Sequence, residues 1–199
     1  MQVDPSTLSP KDSYLLMTAC VIPRPIGWAS TLAADGTPNL APFSYFGGVS
    51  SSPMTVMLSV GRRGGHAKDT AANLLATKEA VIHIAHRPLA EAMVATAADA
   101  EPHVDEFALA GLTAAPSLRV APPRVAEAAI AMECRLVQHQ EVGAGPVDVF
   151  FLEVVQLHLD DAYLVDGRPD AGKLAAVGRL GAAGYCDTAT PFEVQRTTA

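Results

Sequence analysis

Lys68, Asp69 and Thr70 stand where a glycine-rich passage, GRRGGHA, gives way to a helix-forming run. The free N–H groups of a helix's first turn and the positive end of its dipole favour an anion. Lys68 would add a full charge, Thr70 a hydroxyl donor, and Gly64-Gly65 a close approach of backbone. Ser30 and Thr31, on a preceding strand, would offer hydroxyls from the side. Asp69 would repel an anion unless it turns back as the N-cap of its own helix, which is the expected arrangement. The same triplet also reads as a capped surface helix with a solvated lysine.

A second group lies upstream, in NLAPFSYF at 39–46. A strand interrupted at Pro42 is expected to leave amides at 43–45 without ladder partners. Phe43, Tyr45 and Phe46 would supply flat apolar surface, and Trp28 would cover one face of a ligand or belong to the core. Unpaired amides suit a ring that carries carbonyl and imine acceptors. Donors, a flat wall and a cationic helix start within residues 24–70 therefore suit a planar, phosphorylated ligand.

The remaining candidates are less well defined. His83 and His86, three apart in an expected strand, fall on opposite faces. His139 and His158 lie on two arms of one hairpin, whose turn would set His139 near Val149 and His158 near Ile130. His66 would reach a phosphate or a nicotinamide from the glycine-rich approach, or face solvent. Arg62-Arg63 reads as a loop feature, and Asp160, Asp161 and Asp166 as a solvated turn around Gly167. Ser50-Ser51-Ser52 lacks the G-x-S-x-G elbow of a hydrolase. No metal site is expected, and no side chain is singled out as nucleophile or general base.

The elements that must position these residues follow from punctuation and alternation. Residues up to about 14 read as irregular, and 14–19 as about one helical turn. Strands are expected over 27–34, 55–60 and 81–85, with a helix over 69–77. Asp35-Gly36 reads as a two-residue hairpin turn with positive φ at both positions. Pro38 and Pro42 mark the return strand as an edge or a bulge. Helices are expected over 88–98 and 105–110, and the longest hairpin over 129–141 and 147–159 around Gly143-Ala144-Gly145-Pro146. Many strands and few helices favour an antiparallel barrel, mainly β with peripheral helices. No G-x-G-x-x-G occurs, which opposes a doubly wound α/β fold.

Composition bounds the rest. With 199 residues, 49% hydrophobic and 18% charged, the chain suits a single folded domain over 1–199 rather than disorder. A formal charge of −7 without a basic stripe opposes nucleic-acid binding. No apolar run approaches the roughly 20 residues of a membrane span. The three cysteines show no C-x-x-C spacing, and the first residues lack a signal-peptide pattern, so a reduced, cytoplasmic protein is expected.

RPIGWAST, DG-x-x-NLAPFSYF, the SSP-then-LSV strand and KDT-x-x-N occur in that order, followed by HVDEFALAGL at 103–112, MECRL at 132–136 and GRLGAAGY at 178–185. In these motifs the chain resembles the flavin reductase-like, FMN-binding split-barrel family, from about residue 23 to 185. The resemblance implies an antiparallel split β-barrel, a homodimer, and FMN near the subunit interface, with FAD or riboflavin as variants of the ligand. It implies that Trp28, Ala29, Ser30, Thr31, Pro42, Phe43, Ser44 and Ser59 line the ring and ribityl chain. Lys68, Asp69 and Thr70 would sit at the phosphate, and Arg179 near the cofactor or the dimer contact. Met54 and Ala176 stand where many members have proline. The activity implied is NAD(P)H-dependent flavin reduction, alone or as the reductase component of a monooxygenase system. A non-catalytic FMN-binding electron-transfer or sensor protein is the alternative, and amine oxidation by FMN ranks below both.

Overall fold

The computed structural model describes residues 1–98 and 104–195; His103 of the HVDEFALAGL motif lies outside them. The strands of the first half are β1 (Arg24–Pro25), β2 (Gly27–Leu32), β3 (Pro38–Phe43), β4 (Phe46–Ser51), β5 (Met54–Val60) and β6 (Glu79–Ile84). Those of the second half are β7 (Ala114–Ala115), β8 (Arg124–Val125), β9 (Ile130–Val142), β10 (Val147–Leu159), β11 (Leu164–Val165), β12 (Arg168–Pro169), β13 (Val177–Arg179) and β14 (Tyr185–Asp187). The helices are α1 (Pro10–Cys20), α2 (Asp69–Thr77), α3 (Ala90–Ala95), α4 (Glu106–Leu109) and α5 (Ala171–Leu174). None is long and apolar enough to cross a membrane.

Seven strands form one antiparallel sheet in the order β3-β2-β6-β9-β10-β5-β4. Its two edge strands, β3 and β4, are consecutive in the chain and separated by Ser44 and Tyr45 alone. So short a link forces the sheet to curl until its edges meet, and the Ser59 amide extends the β4–β5 ladder into that link by donating to the Tyr45 carbonyl at 2.8 Å. The expected antiparallel split barrel is what forms. Every second residue of its strands points inward. Ala29, Ile82, Cys134, Phe150, Leu152, Leu58 and Val60 fill the interior, and Ala71 and Leu74 of α2 pack into the same core. A side chain at Gly27 would crowd this core, since a Cβ there would lie 2.7 Å from the Phe46 ring.

A second layer covers the outer face of β2, β3 and β6. Trp28 and Leu40 pack there against Met93 of α3, Phe107 of α4, Val125 and Val177. His83 is fully buried beneath them: Nδ1 donates to the Trp28 carbonyl and Nε2 accepts from the Val125 amide, both at 2.9 Å. These two bonds fix a neutral tautomer. Burial pushes its pKa down to about 4. A smaller sheet, β1-β13-β14, lies alongside. Arg24 binds it to the rest through neutral oxygens: the carbonyls of Thr18 and Val21 at the end of α1, the Leu180 carbonyl, and Ser44 Oγ.

The structure corrects several local expectations. The N-terminal segment is not irregular to Tyr14: Ser9 caps α1, and Pro10 occupies its first turn, where a missing N–H is harmless. The hairpin turn uses positive φ only at Gly36 (89°), with the Ala33 amide bonded to the Thr37 carbonyl and the Thr37 amide to Asp35 Oδ1. Three residues therefore form the loop. The span 88–98 divides into a short 3-10 turn at Arg87–Leu89 and α3. β9 and β10 pair as expected, but His139 faces Phe150 and His158 faces Ala131, because the turn pairs Val142 with Val147, one residue off the expected register; two later register shifts cancel each other. The N-cap of α2 is Lys68, and Asp69 is the first helical residue.

Gly27→Ala is expected to lower the unfolding free energy by about 1–3 kcal/mol, the range for an overpacked core. Urea titration measures it. Adding Phe46→Leu should recover part of the loss by giving the new methyl group room.

Candidate functional site

β3 is an edge strand, and its outward amides are disposed of one by one. Pro38, Leu40 and Pro42 pair with Leu32, Ser30 and Trp28, the positions whose N–H would point away from β2. The two prolines have none to expose. The Leu40 amide donates to Glu106 Oε2 at 3.0 Å. The strand is thus continuous through both prolines, and the expected unpaired amide at Phe43 is corrected: Phe43 pairs with Gly27 in the ladder. Alternation turns Asn39, Ala41 and Phe43 to the other face.

Beside this edge opens a cleft of about 450 Å³. Asn39, Ala41, Pro42 and Phe43 form its β3 wall, and the start of α2 and the loop before it form another. Thr96, Ala97, Ala98 and Glu106 complete it. Within the loop, Arg63 and His66 exchange both backbone hydrogen bonds at 2.9 Å, with Gly64 and Gly65 at φ 54° and 82° between them. Only that glycine pair makes so tight a reversal easy. Arg63, His66 and Lys68 line the cleft from there.

Thr70 is buried at the foot of α2, and its hydroxyl oxygen accepts from Asn39 Nδ2 at 2.9 Å. A hydroxyl that accepts in this way keeps its own proton to donate. Asn39 also reaches Thr31 Oγ1 at 3.3 Å, where Asn73 Nδ2 donates at 3.1 Å. Glu106 is the buried carboxyl of the cleft. Burial raises its pKa and the Asp69 and Asp105 charges act the same way, against the Leu40 hydrogen bond.

The structure brings Pro42, Phe43, Lys68, Asp69 and Thr70 together in the cleft. Thr31 stands one hydrogen bond behind it. Trp28 is buried in the outer layer and donates from Nε1 to Thr96 Oγ1 at 2.9 Å, so it backs the cleft rather than lining it. Ala29 faces the barrel core, and Ser30 is buried with no partner for its hydroxyl among the described residues. Ser44 accepts from Arg24 Nε at 3.2 Å. Ser59 lies half-buried on β5, bonded to Tyr45. Arg179 lies on β13, stacked 4.4 Å over the Tyr185 ring and donating to the Ala182 carbonyl. Asn39, Arg63, Thr96 and Glu106 were not singled out as site residues in the sequence. Asn39 sits inside the NLAPF motif and Glu106 inside HVDEFALAGL, whereas Thr96 arrives from a later element with no local signal.

A flavin reductase-like domain model matches residues 18–171. The chain belongs to that family. An uncharacterized protein of Aquifex aeolicus (strain VF5) is 38% identical over 174 residues, covering 86% of this chain and 88% of that one. Among solved structures, nitrilotriacetate monooxygenase component B from Bacillus cereus superposes with a TM-score of 0.94 at 33% identity, covering 98% of each chain. The Pseudomonas fluorescens 2-nitrobenzoate 2-nitroreductase NbaA gives 0.90 at 26%, covering 100% of this chain and 97% of that one. The family is flavin-binding, and flavin is the ligand against which the cleft is to be measured.

Glu106→Ala strips the Leu40 amide of its acceptor, whereas Glu106→Gln keeps one. The alanine variant is expected to lose about 1–3 kcal/mol of unfolding free energy, and the glutamine variant less. Denaturant titration of both checks this; equal losses would put the contribution of Glu106 in its charge instead.

Proposed function

We propose that the protein is an FMN-dependent oxidoreductase of the NAD(P)H:flavin reductase type, serving alone or as the reductase component of a monooxygenase system. The observation that carries the reading is the polarity of the cleft. One end gathers Lys68, Arg63, His66 and the Thr70 donor at the first turn of α2, and the other presents Pro42 and Phe43. A volume of about 450 Å³ falls within the range of cofactor sites. The residues present fit a ligand with a dianionic tail and a flat, apolar head.

In this reading Lys68 and the amides of Asp69 and Thr70 hold the phosphate, with the Thr70 hydroxyl turned toward it by Asn39. Pro42, Phe43 and Ser44 lie along the ring. Trp28, Ala29, Ser30 and Thr31 shape the wall from behind, and Ser59 and Arg179 approach from β5 and β13. Flavin, when bound, supplies the redox chemistry, and the chain supplies position, electrostatics and exclusion of water. FMN is favoured over riboflavin because the cationic end has work only for a phosphate. A homodimer would cover Tyr14, Leu15, Leu16 and Met17, which α1 leaves exposed. The likeness to a monooxygenase component supports an oxygenase partner. Three cysteines without disulfides suit a reducing cytoplasm.

The purified protein is expected to bind FMN and to oxidise NADH or NADPH in a flavin-dependent way. Stopped-flow mixing of the FMN-loaded protein with either nucleotide should bleach the flavin absorbance. Binding without bleaching would leave an electron carrier or sensor, and no binding would end the reading. Lys68→Ala should weaken FMN by about 1.5–3 kcal/mol, roughly ten- to a hundredfold, and riboflavin far less. Fluorescence titration with both ligands measures the difference, and equal losses would place Lys68 away from the phosphate.

A further inference from the structure

Asp148, on β10, is 1% exposed and does not line the cleft, yet both of its carboxylate oxygens are paired. Arg62 grips it with two parallel bonds, Nε to Oδ2 and Nη2 to Oδ1, both 2.9 Å. The same Nη2 reaches Glu141 Oε1 at 2.8 Å. His139 Nε2 lies 2.9 Å from Asp148 Oδ1, its ring stacked on Phe150 at 4.9 Å. The Arg62 guanidinium, with His139 behind it, holds the Asp148 carboxyl below the usual carboxylate range. Asp148 pairs with Val60, the last residue of β5, so the clamp closes two residues into the loop that leads to α2.

That position matters for the cleft. Successive side chains of an extended stretch point to opposite sides. Fixing Arg62 against β10 therefore commits Arg63 to the other side, where it lines the cleft. From Arg63 the loop turns as one unit, tied to His66 by two backbone bonds, and runs on to Lys68. Its base is held by a planar fork of two bonds, which fixes orientation as a single contact would not.

We propose that Asp148 is a positioning residue for anion binding: through Arg62 it sets the orientation of the loop that carries Arg63, His66 and Lys68 to the phosphate end of the cleft. The inference rests on the reading of the cleft as a site for a phosphorylated flavin. It adds a residue that touches no ligand and stands on another strand.

The test compares FMN with riboflavin by fluorescence titration, in wild type and variants, with melting temperatures alongside. Asp148→Asn keeps the shape but offers one acceptor oxygen to the fork, and Arg62→Lys keeps the charge but has no fork. Each is expected to weaken FMN about tenfold, roughly 1.4 kcal/mol, and to leave riboflavin nearly unchanged. Arg62→Met with Asp148→Leu replaces the pair by apolar groups, a change that often spares stability. This double variant should stay folded and still lose the preference for FMN. If it or Asp148→Asn keeps the wild-type preference, the inference is overturned while the flavin site stands. Equal losses for both ligands with a lowered melting temperature would make Asp148 merely structural and overturn it too. A wild type that binds FMN no more tightly than riboflavin would overturn the reading of the cleft and this inference with it.

Discussion

The edge of β3 is the constraint from which the rest of the site follows. An edge strand carries unpaired amides that must be removed, covered or wetted. Here two prolines remove theirs, and Glu106 covers the third. Because Glu106 begins α4, satisfying one backbone amide also fixes a helix above the strand. Phe107, next in sequence, then enters the outer core beside Trp28 and Leu40. The strand is thus terminated on its outer side without a partner strand, and its inner residues are left to shape a cleft. Sheet chemistry and site construction are here the same problem.

A second consequence concerns charge. The chain carries a formal −7, yet Arg63, His66 and Lys68 are brought to the cleft together by local chain geometry. The Gly64-Gly65 reversal brings Arg63 opposite His66, and α2 starts three residues later. Asp69 and Glu106 lie in the same cleft, so its field is mixed rather than uniformly positive. Discrimination then depends on where each cation is aimed. Orientation carries more of the selectivity than net charge, which is why a clamp at the loop's base has leverage.

How much of this was legible in the sequence varied with distance along the chain. The β9–β10 hairpin and α2 were readable because their signals are local: a glycine-rich turn between alternating strands, and a helical run after KDT. α1 was readable only over 14–19, as one helical turn, because its apolar residues Tyr14, Leu15, Leu16 and Met17 occupy every side of the helix and give no period that would extend it back to Pro10. The prolines of β3 announced an edge, but not that the ladder would run through them unbroken. In the site, Lys68 and Thr70 were visible from helix-start chemistry, and Pro42 and Phe43 from the family motif. The grip of Arg62 on Asp148 spans 86 residues, and Glu106 reaches Leu40 across 66. Pairings at that range depend on the order of strands in the sheet. No local pattern encodes them.

The two-residue link between β3 and β4 also limits the aperture of the site. A chain spans at most about 3.3–3.6 Å per residue, so Ser44 and Tyr45 tether one rim of the cleft to the far edge of the barrel. That rim has a covalent stop. The opposite rim, formed by Thr96, Ala97, Ala98 and α4, is joined to the barrel by packing and by the hydrogen bonds of Trp28 with Thr96 and Leu40 with Glu106. Differences in ligand size among chains built on this plan therefore fall on the helical rim, while the strand rim keeps a constant gauge.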